Sequence, residues 1–251
     1  MKPYIIEEHE DGLLVFTINR PEKRNAISYE VMDGLEEVLE RAGRKSYKAL
    51  AITGAGNQSF CSGGDLSSFH RLKTEEEAFE MLSRMAELLK KLLFLPKPTL
   101  AILNGTAVGG GCELAAACDY RIAKAGARAG FIQGTLAITT GWGGGTMLME
   151  KMIPGNAMKM LTEAAVYTAE ELEGMGFIQA IYAGESIEAA RRFLQKMLLM
   201  ESDVLMAYKD ILIRKWKMNN IEGRIDKEVR QCAILWEGEA HHNQVDRFMN
   251  K

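Results

Sequence analysis

The feature that most constrains this sequence is a glycine-rich turn between a predicted buried strand and a predicted helix. Residues 104–119 read NGTAVGGGCELAAACD, and they follow an apolar run at residues 98–103. Glycine has no side chain, so the backbone at residues 109–111 can approach a ligand closely. The first N–H groups of a helix are unpaired and carry partial positive charge. With Glu113 in the first helical turn, the segment combines an amide donor with a proton-transfer group, as a reaction through an oxyanion requires.

A second glycine-rich loop lies earlier in the chain and has a similar context. Residues 60–66 read FCSGGDL, and they follow a predicted buried strand at residues 49–53 and a turn at residues 54–57. An oxyanion hole needs two convergent donors, and two such loops supply one each. Each loop alone also fits an ordinary turn. Together they favour an oxyanion hole with one backbone N–H donor from each loop.

Composition and charge narrow the class of protein. The chain has 251 residues, of which 47% are hydrophobic and 26% charged, as in an ordinary soluble globular protein. Its length allows one large core, or one core with a helical appendage. No apolar run is long enough for a membrane span and the first residues form no signal peptide, so we expect a cytoplasmic protein without membrane contact. The net charge of -3 gives no reason to expect a nucleic-acid partner.

The cysteines and histidines predict no metal site. The four cysteines lack CxxC spacing and have no histidine at ligand spacing, which favours free thiols in a reducing compartment. His241 and His242 are expected at a solvated helix end. We therefore expect no metal.

Strand and helix patterns alternate through the first part of the chain and predict an α/β fold. A helix is expected after Ser28, and a capping box at residues 74–77 opens a long helix that ends before Pro96. We predict a core with the active site at residues 1–185 and a helical region at residues 186–251. The predicted helices of that region span residues 187–199, 203–217 and 224–237. The helical region either covers the site of its own subunit or serves as an assembly surface.

The two loops together resemble those of the enoyl-CoA hydratase/isomerase (crotonase) superfamily. Its members carry an FCAGADL-like loop followed by an NGxALGGGxEL-like loop. Residues 19–27 look like the family's NRPxxxNAL loop, and residues 138–146 are similar to its LGxxPGxGGT segment. Residues 161–178 resemble its LTGxxxxAxEAxxxGLV segment, whereas beyond about residue 184 only helical character matches. The resemblance implies a ββα spiral core, followed by helices that pack on it and on neighbouring subunits of a homotrimer or dimer of trimers.

The resemblance also implies an acyl-CoA thioester substrate and assigns residues to it. Gly64 and Gly110 would hold the thioester oxygen, and Glu113 would transfer a proton. The residues expected to bind the substrate or its CoA part are Lys23, Arg24, Ala26, Ser62, Gly63, Gly64, Asp65, Leu66, Ser67, Gly110 and Trp142. CoA belongs to the substrate, and no further cofactor is implied.

The site departs from the family pattern at Gln133, and Trp142 has two interpretations. Gln133 stands where many hydratases have a second glutamate, and a shift of one residue would put Gly134 there. Neither residue can take a proton, although glutamine can hold a water molecule by hydrogen bonds. Trp142 lies among glycines, and it either fills the core or walls a pocket.

Three reactions fit one oxyanion hole with one carboxylate. Hydration of a 2-enoyl-CoA, a lyase reaction of fatty acid metabolism, fits best if Gln133 positions the water and Glu113 moves the protons. Decarboxylation of a malonyl-type CoA is the alternative, since the FCSG and WGG segments resemble the family's ethylmalonyl-CoA decarboxylases. Isomerisation of a 3-enoyl-CoA would place its base at the Gln133 position. A non-catalytic CoA-binding subunit is the alternative from another class.

Overall fold

The computed structural model of the chain describes residues 2–249, without the side chains of Leu66, Phe248 and Met249. The strands are β1 (Tyr4–Glu8), β2 (Leu13–Ile18), β3 (Ala49–Gly54), β4 (Ser59–Cys61), β5 (Thr99–Leu103), β6 (Thr106–Val108), β7 (Tyr120–Lys124), β8 (Arg128–Gly130), β9 (Tyr167–Thr168) and β10 (Ala180–Tyr182). The helices are α1 (Tyr29–Ala42), α2 (Leu66–Phe69), α3 (Glu75–Leu93), α4 (Gly110–Ala117), α5 (Gly144–Lys151), α6 (Pro154–Glu163), α7 (Ala169–Gly174), α8 (Ser186–Leu198), α9 (Ser202–Met218), α10 (Ile221–Glu237) and α11 (Glu239–Met249). Two 3₁₀ turns span Pro21–Lys23 and Gln133–Leu136.

The chain builds two sheets in alternation. The larger sheet has the strand order β1-β2-β3-β5-β7-β10, and the smaller has the order β4-β6-β8-β9. Neighbouring strands are parallel except in the pairs β1–β2 and β8–β9. The repeating unit is a strand in the larger sheet, a strand in the smaller sheet and then a helix, as in β5, β6 and α4. This confirms the predicted α/β fold, with a ββα spiral core and a helical C-terminal region.

The parallel pairing places the two glycine-rich loops side by side. Strand β4 pairs with β6 through Ser59 and Thr106, so the loops that follow these strands leave the same edge of the sheet. Asn104 fastens the turns before them. Its amide nitrogen donates to the carbonyl oxygens of Gly56 and Ser59, at 2.9 and 3.2 Å, and its amide oxygen accepts from Gly54 N–H at 3.1 Å. The asparagine before Gly105 is therefore a structural residue that fixes this edge.

The C-terminal helices pack on the core of the same chain. The buried residues Ile225, Val229 and Cys232 of α10 belong to the same hydrophobic cluster as the core strands and α3. Helix α10 lies along α3 and also packs on α5. Of the two alternatives for the helical region, covering its own subunit therefore holds for α10. The boundary at residue 185 remains a prediction. No described helix is both long enough and apolar enough to cross a membrane.

Helix α11 was not predicted, and it corrects the expectation for His241. That residue is buried instead of solvated, with its ring centroid 4.6 Å from that of Trp236. Its Nδ1 atom lies 2.8 Å from the carbonyl oxygen of Leu136, to which it donates. Because Leu136 ends the 3₁₀ turn that begins at Gln133, α11 is tied to the segment that carries Gln133.

Candidate active site

The two glycine-rich loops meet at the start of α4. A Cβ atom built on Gly63 would lie 3.1 Å from the nitrogen of Gly110, and Gly63 has a φ of +94°, which favours glycine. Pairing with Ile27 fixes the first loop: Ile27 N–H donates to Gly63 O at 2.8 Å, and Asp65 N–H donates to Ile27 O at 2.9 Å. Among residues 2–249, no protein acceptor is bonded to the N–H of Gly64 or of Gly110. Both predicted donors therefore remain free for a ligand.

Glu113 is buried on α4, with 2% of its surface exposed. Its carboxylate accepts four hydrogen bonds. Oε2 accepts from the N–H groups of Trp142 and Gly144, at 2.8 and 2.9 Å. Oε1 accepts from Gly141 N–H at 3.2 Å and from Nε2 of Gln133 at 2.9 Å. These contacts fix the carboxylate at the amino end of α5, one helical turn beyond Gly110.

The pKa of Glu113 lies well above the ordinary value for a glutamate. Burial is the main cause, and the carboxylate of Glu228 adds to it, while the backbone N–H groups of Gly144, Trp142 and Gly141 oppose both. Together these effects raise the pKa of Glu113 to about 7. Burial thus raises the pKa by more than the N–H groups at the helix end lower it, and the sequence leaves this balance open. A carboxyl with this pKa can both accept and donate a proton near neutral pH.

Gln133 lies beside Glu113 and carries an unpaired acceptor. Its side chain is buried, and while Nε2 donates to Glu113, Oε1 has no hydrogen-bond partner in the described part of the chain. A Cβ built on Gly109 would come within 4.0 Å of the carboxamide carbon of Gln133, so the amide borders the second glycine-rich loop. A buried acceptor without a partner is destabilising. The position therefore favours a bound donor such as a water molecule.

Trp142 borders both predicted donor glycines. A Cβ atom on Gly110 would overlap the six-membered ring of the indole, and one on Gly64 would lie 3.7 Å from its Cζ2 atom. The residue is 4% exposed, so it also fills the core. The two interpretations of this tryptophan are thus compatible: the indole is core on one side and adjoins the predicted oxyanion hole on the other.

The loop with the predicted CoA-contacting cations lies against the first glycine-rich loop. Ser62 N–H donates to the carbonyl oxygen of Arg24 at 3.1 Å. Lys23 and Arg24 are exposed, and Ala26 is buried beside them. The structure therefore brings these predicted contact residues together at one end of the site.

Asp65 is held by partners within the protein. Its Oδ2 atom accepts from Nη2 of Arg20 at 2.6 Å, and its Oδ1 atom accepts from the N–H and the hydroxyl of Ser67, at 3.0 and 2.5 Å. Burial raises the pKa of Asp65, but the hydrogen bonds from Ser67 and Arg20 bring it below its ordinary value. The carboxylate therefore fixes the loop, while Ser67 itself is exposed. The side chain of Leu66, also a predicted contact, lies outside the described part of the structure.

Glu228 on α10 is a residue of this site that the sequence analysis did not select. Its Oε1 atom accepts from the Thr140 hydroxyl at 2.5 Å and from Gly145 N–H at 2.9 Å. Its Oε2 atom accepts from Thr146 N–H at 2.7 Å. One signal could have indicated it: Glu228 follows the buried Ile225 at helical spacing, and a carboxylate beside a buried stripe requires partners.

The fold and the site together define a class of protein. It is an α/β spiral enzyme with two free backbone amides and one buried, near-neutral carboxyl in the same site. A family model described as enoyl-CoA hydratase/isomerase matches residues 8–250. The chain belongs to this family, as its two loops indicated.

Curated relatives with two different activities resemble the chain over most of its length. Crotonyl-CoA hydratase of Syntrophomonas wolfei is 34% identical over 248 residues, covering 98% of this chain and 95% of the relative. Short-chain-enoyl-CoA hydratase of Clostridium acetobutylicum is 33% identical over 249 residues, with the same coverage. Ethylmalonyl-CoA decarboxylase of Xenopus laevis is 29% identical over 240 residues, covering 94% of this chain and 80% of the relative. The likeness to both kinds of enzyme is confirmed.

Solved structures share the fold. The crystal structure of an enoyl-CoA hydratase from Bacillus halodurans has a TM-score of 0.87 at 22% identity, covering 98% of this chain and 99% of that one. At this level of identity the match shows a common fold, and the reaction must be argued from the site.

Proposed function

We propose that this enzyme is a lyase that adds water to a short-chain 2-enoyl-CoA. The observation that carries the proposal is the pair formed by Glu113 and Gln133. It joins a buried carboxyl with a pKa of about 7 to an amide whose oxygen has no partner among the described residues. The free Oε1 atom of Gln133 can accept one hydrogen of a water molecule, and this water would lie beside the carboxyl that is to take its proton.

The proposed reaction uses Glu113 for both proton transfers. The thioester oxygen accepts from the N–H groups of Gly64 and Gly110, which stabilise the negative charge of the enolate. Glu113 takes a proton from the water as its oxygen bonds to the β-carbon. Glu113 then gives a proton to the α-carbon, so that the elements of one water molecule are added across the double bond. Gln133 positions the water and takes no proton.

The short acyl group is proposed from the position of Trp142. Its indole adjoins Gly110 and Gly64, so a bulky ring lies next to the place where the thioester oxygen would bind. A rigid aromatic wall limits the room for an acyl chain. The names of the two hydratase relatives, crotonyl-CoA and short-chain-enoyl-CoA hydratase, support the same assignment.

The CoA part of the substrate is proposed to lie along the exposed loop that contains Lys23 and Arg24. Two exposed cations next to the site provide local positive charge for phosphate groups in a chain of net charge -3. The contact of the Arg24 carbonyl with Ser62 N–H places this loop beside the predicted oxyanion hole. In this proposal CoA is the sole carrier group, and the chemistry needs no further cofactor.

Decarboxylation of a malonyl-type CoA is the second candidate, favoured by the neutral side chain of Gln133 and by the decarboxylase relatives. In that reaction the bond to the carboxylate breaks, CO₂ leaves, and its electron pair forms the enolate held by Gly64 and Gly110. Glu113 then protonates the α-carbon. We rank it second because the unpaired Oε1 of Gln133 is an acceptor, which attracts a water molecule but repels a carboxylate.

Assembly and location belong to the same proposal: a cytoplasmic homotrimer or dimer of trimers, active in fatty acid metabolism. Exposed apolar side chains at the end of α8 and along α9 support the assembly, since such patches mark interaction surfaces. These side chains are Leu199, Met200, Val204, Tyr208, Ile211 and Met218. Sedimentation that showed a monomer at every concentration would contradict the proposed assembly.

The variant Gln133→Glu separates the two reactions. A second carboxylate can share the proton of the attacking water, so hydration of crotonyl-CoA should rise, by up to roughly 10²–10⁴-fold. The same carboxylate would repel that of ethylmalonyl-CoA, so decarboxylation should fall. Both substrates are assayed with both proteins. A wild-type chain that binds CoA thioesters but converts neither would support the non-catalytic alternative.

A further inference from the structure

Glu228 and Glu113 place two carboxylates at the amino end of the same helix. Glu113 accepts from Gly144, the first residue of α5, and Glu228 accepts from the next two, Gly145 and Thr146. A helix end carries only about half a positive charge. When both carboxyls are ionised, their two negative charges exceed the partial positive charge of the helix end, so the charge of Glu228 disfavours the ionised form of Glu113.

Glu228 influences the site from a separate element. It lies on α10, and its contacts are with the segment of residues 140–146. That segment also supplies the backbone donors of Glu113, at Gly141, Trp142 and Gly144. The two carboxylates thus bind one short stretch of backbone. Replacing Glu228 should therefore alter the surroundings of the Glu113 carboxyl.

Few other titratable groups face Glu113. Cys112 is its neighbour on α4, and Cys232 lies on α10; burial raises the pKa of both thiols, so both are neutral at physiological pH. The 3₁₀ turn contributes Gln133, which does not titrate. Lys151 ends α5 and bonds the far end of α4. Within residues 2–249, Glu228 is therefore the principal charge acting on Glu113, and its effect raises the pKa of that carboxyl.

We propose that Glu228 is a positioning residue for Glu113. Its charge favours the protonated form of the Glu113 carboxyl, and its three hydrogen bonds fix the backbone segment whose N–H groups bind that carboxyl. This inference rests on the proton-transfer role assigned to Glu113 under the proposed function. It gives helix α10 a role in catalysis in addition to its packing on the core. Removing the charge of Glu228 relieves the repulsion, and Glu113 then holds its proton less tightly.

The direct test is a titration of Glu113 that does not depend on turnover. Carbon-13 NMR of protein labelled at the glutamate carboxyl carbon follows each side chain, and the Glu113 signal is assigned by its absence in Glu113→Gln. In Glu228→Gln the pKa of Glu113 should fall by about one pH unit. The matched control is Asp226→Asn, which removes the same charge from α10, at a residue that pairs with Lys90 instead. The control should leave the titration of Glu113 unchanged.

A pH profile supplies the second readout. With crotonyl-CoA, the acidic limb of kcat/KM should move to lower pH in Glu228→Gln, by the same amount as the titration. A purely structural role would lower the rate at every pH without moving the limb. Glu228→Asp keeps the charge but draws it back by one methylene, so it should give a smaller fall in pKa. It also provides the decisive comparison if Glu228→Gln does not fold.

The outcomes distinguish this inference from the proposed function. An unchanged Glu113 titration in Glu228→Gln, or in Glu228→Asp where only that variant folds, would overturn the inference even if the enzyme hydrates crotonyl-CoA. A wild-type enzyme without hydration would overturn the proposed function, while the NMR titration would still show whether Glu228 sets the state of Glu113.

Discussion

Glu113 and Lys151 cap each other's helices. Glu113 on α4 accepts from Gly144 N–H at the amino end of α5, at 2.9 Å. Lys151, the last residue of α5, donates to three carbonyls at the carboxyl end of α4. These carbonyls belong to Ala116, Ala117 and Cys118, at 2.7, 2.9 and 2.8 Å. Helices α4 and α5 are thus joined at both ends, which fixes the Gly110 amide relative to the Glu113 carboxyl.

Replacing Lys151 should therefore destabilise the fold. Lys151→Met leaves three carbonyls of a helix end without their donor, and the free energy of unfolding should fall by about 3 kcal/mol. Urea unfolding measures the change. Lys159→Met, at an exposed position of α6, is the matched control, and its effect should stay within about 0.5 kcal/mol. Equal stability of the two variants would show that the reciprocal capping contributes nothing.

Gly110 should not tolerate a side chain. A Cβ atom there would overlap the indole of Trp142, so Gly110→Ala should lower the free energy of unfolding by roughly 1–3 kcal/mol. Gly155→Ala is the control, because a Cβ built there meets nothing within 4 Å apart from its chain neighbours and the backbone of its own helix. Adding Trp142→Ala to Gly110→Ala should recover part of the loss, as a double-mutant cycle by urea unfolding would show. Additive effects in that cycle would mean that the two residues do not touch.

The raised pKa of Glu113 predicts a pH-dependent stability. Between its ordinary value of 4.5 and about 7, the folded protein keeps Glu113 protonated while the unfolded chain ionises it. Raising the pH through this window therefore favours unfolding, by roughly 3 kcal/mol in total. Glu113→Gln should remove this contribution, so the wild type should lose stability relative to the variant as the pH rises. Urea unfolding at several pH values checks this, and a difference that does not vary with pH would contradict it.

Trp142 should set the preferred length of the acyl group. Trp142→Ala opens space beside Gly110 and Gly64, so kcat/KM for six- and eight-carbon enoyl-CoA should rise relative to crotonyl-CoA, by about tenfold. Trp236→Phe changes a tryptophan that packs on His241, and it should leave this ratio unaltered. If both variants keep the wild-type ratio, another residue limits the acyl chain.

Local patterns predict much of this fold, because caps and buried stripes act over a few residues. The capping box at the start of α3 forms as expected: Glu77 N–H donates to the Thr74 hydroxyl oxygen, and Thr74 N–H donates to the Glu77 carboxylate. The two glycine-rich loops lie together because the strands before them pair in parallel, a consequence of the ββα repeat. The roles assigned to Gly64 and Gly110 remain predictions.

Contacts between distant residues could not be predicted from this sequence. Glu228 binds Gly145, 83 residues earlier, and Asp65 binds Arg20, 45 residues earlier. His241 was expected in solvent, yet it bonds Leu136 across 105 residues. In a single sequence such side chains look like ordinary surface residues, because the fold alone brings their backbone and side-chain partners into reach. The covering role of α10 is one of the two alternatives that the sequence offers, but the contacts of Glu228 with residues 140–146 depend on the fold and cannot be predicted from the sequence.

The most direct test of the account is the product formed from crotonyl-CoA in D₂O by the wild type and by Glu113→Gln. The wild type should form 3-hydroxybutyryl-CoA with one deuterium at the α-carbon. Glu113→Gln should remain folded and bind the thioester, but its rate should fall by roughly 10²–10⁴-fold. An undiminished rate in Glu113→Gln, or a wild type that releases CO₂ from ethylmalonyl-CoA and leaves crotonyl-CoA unchanged, would contradict the account.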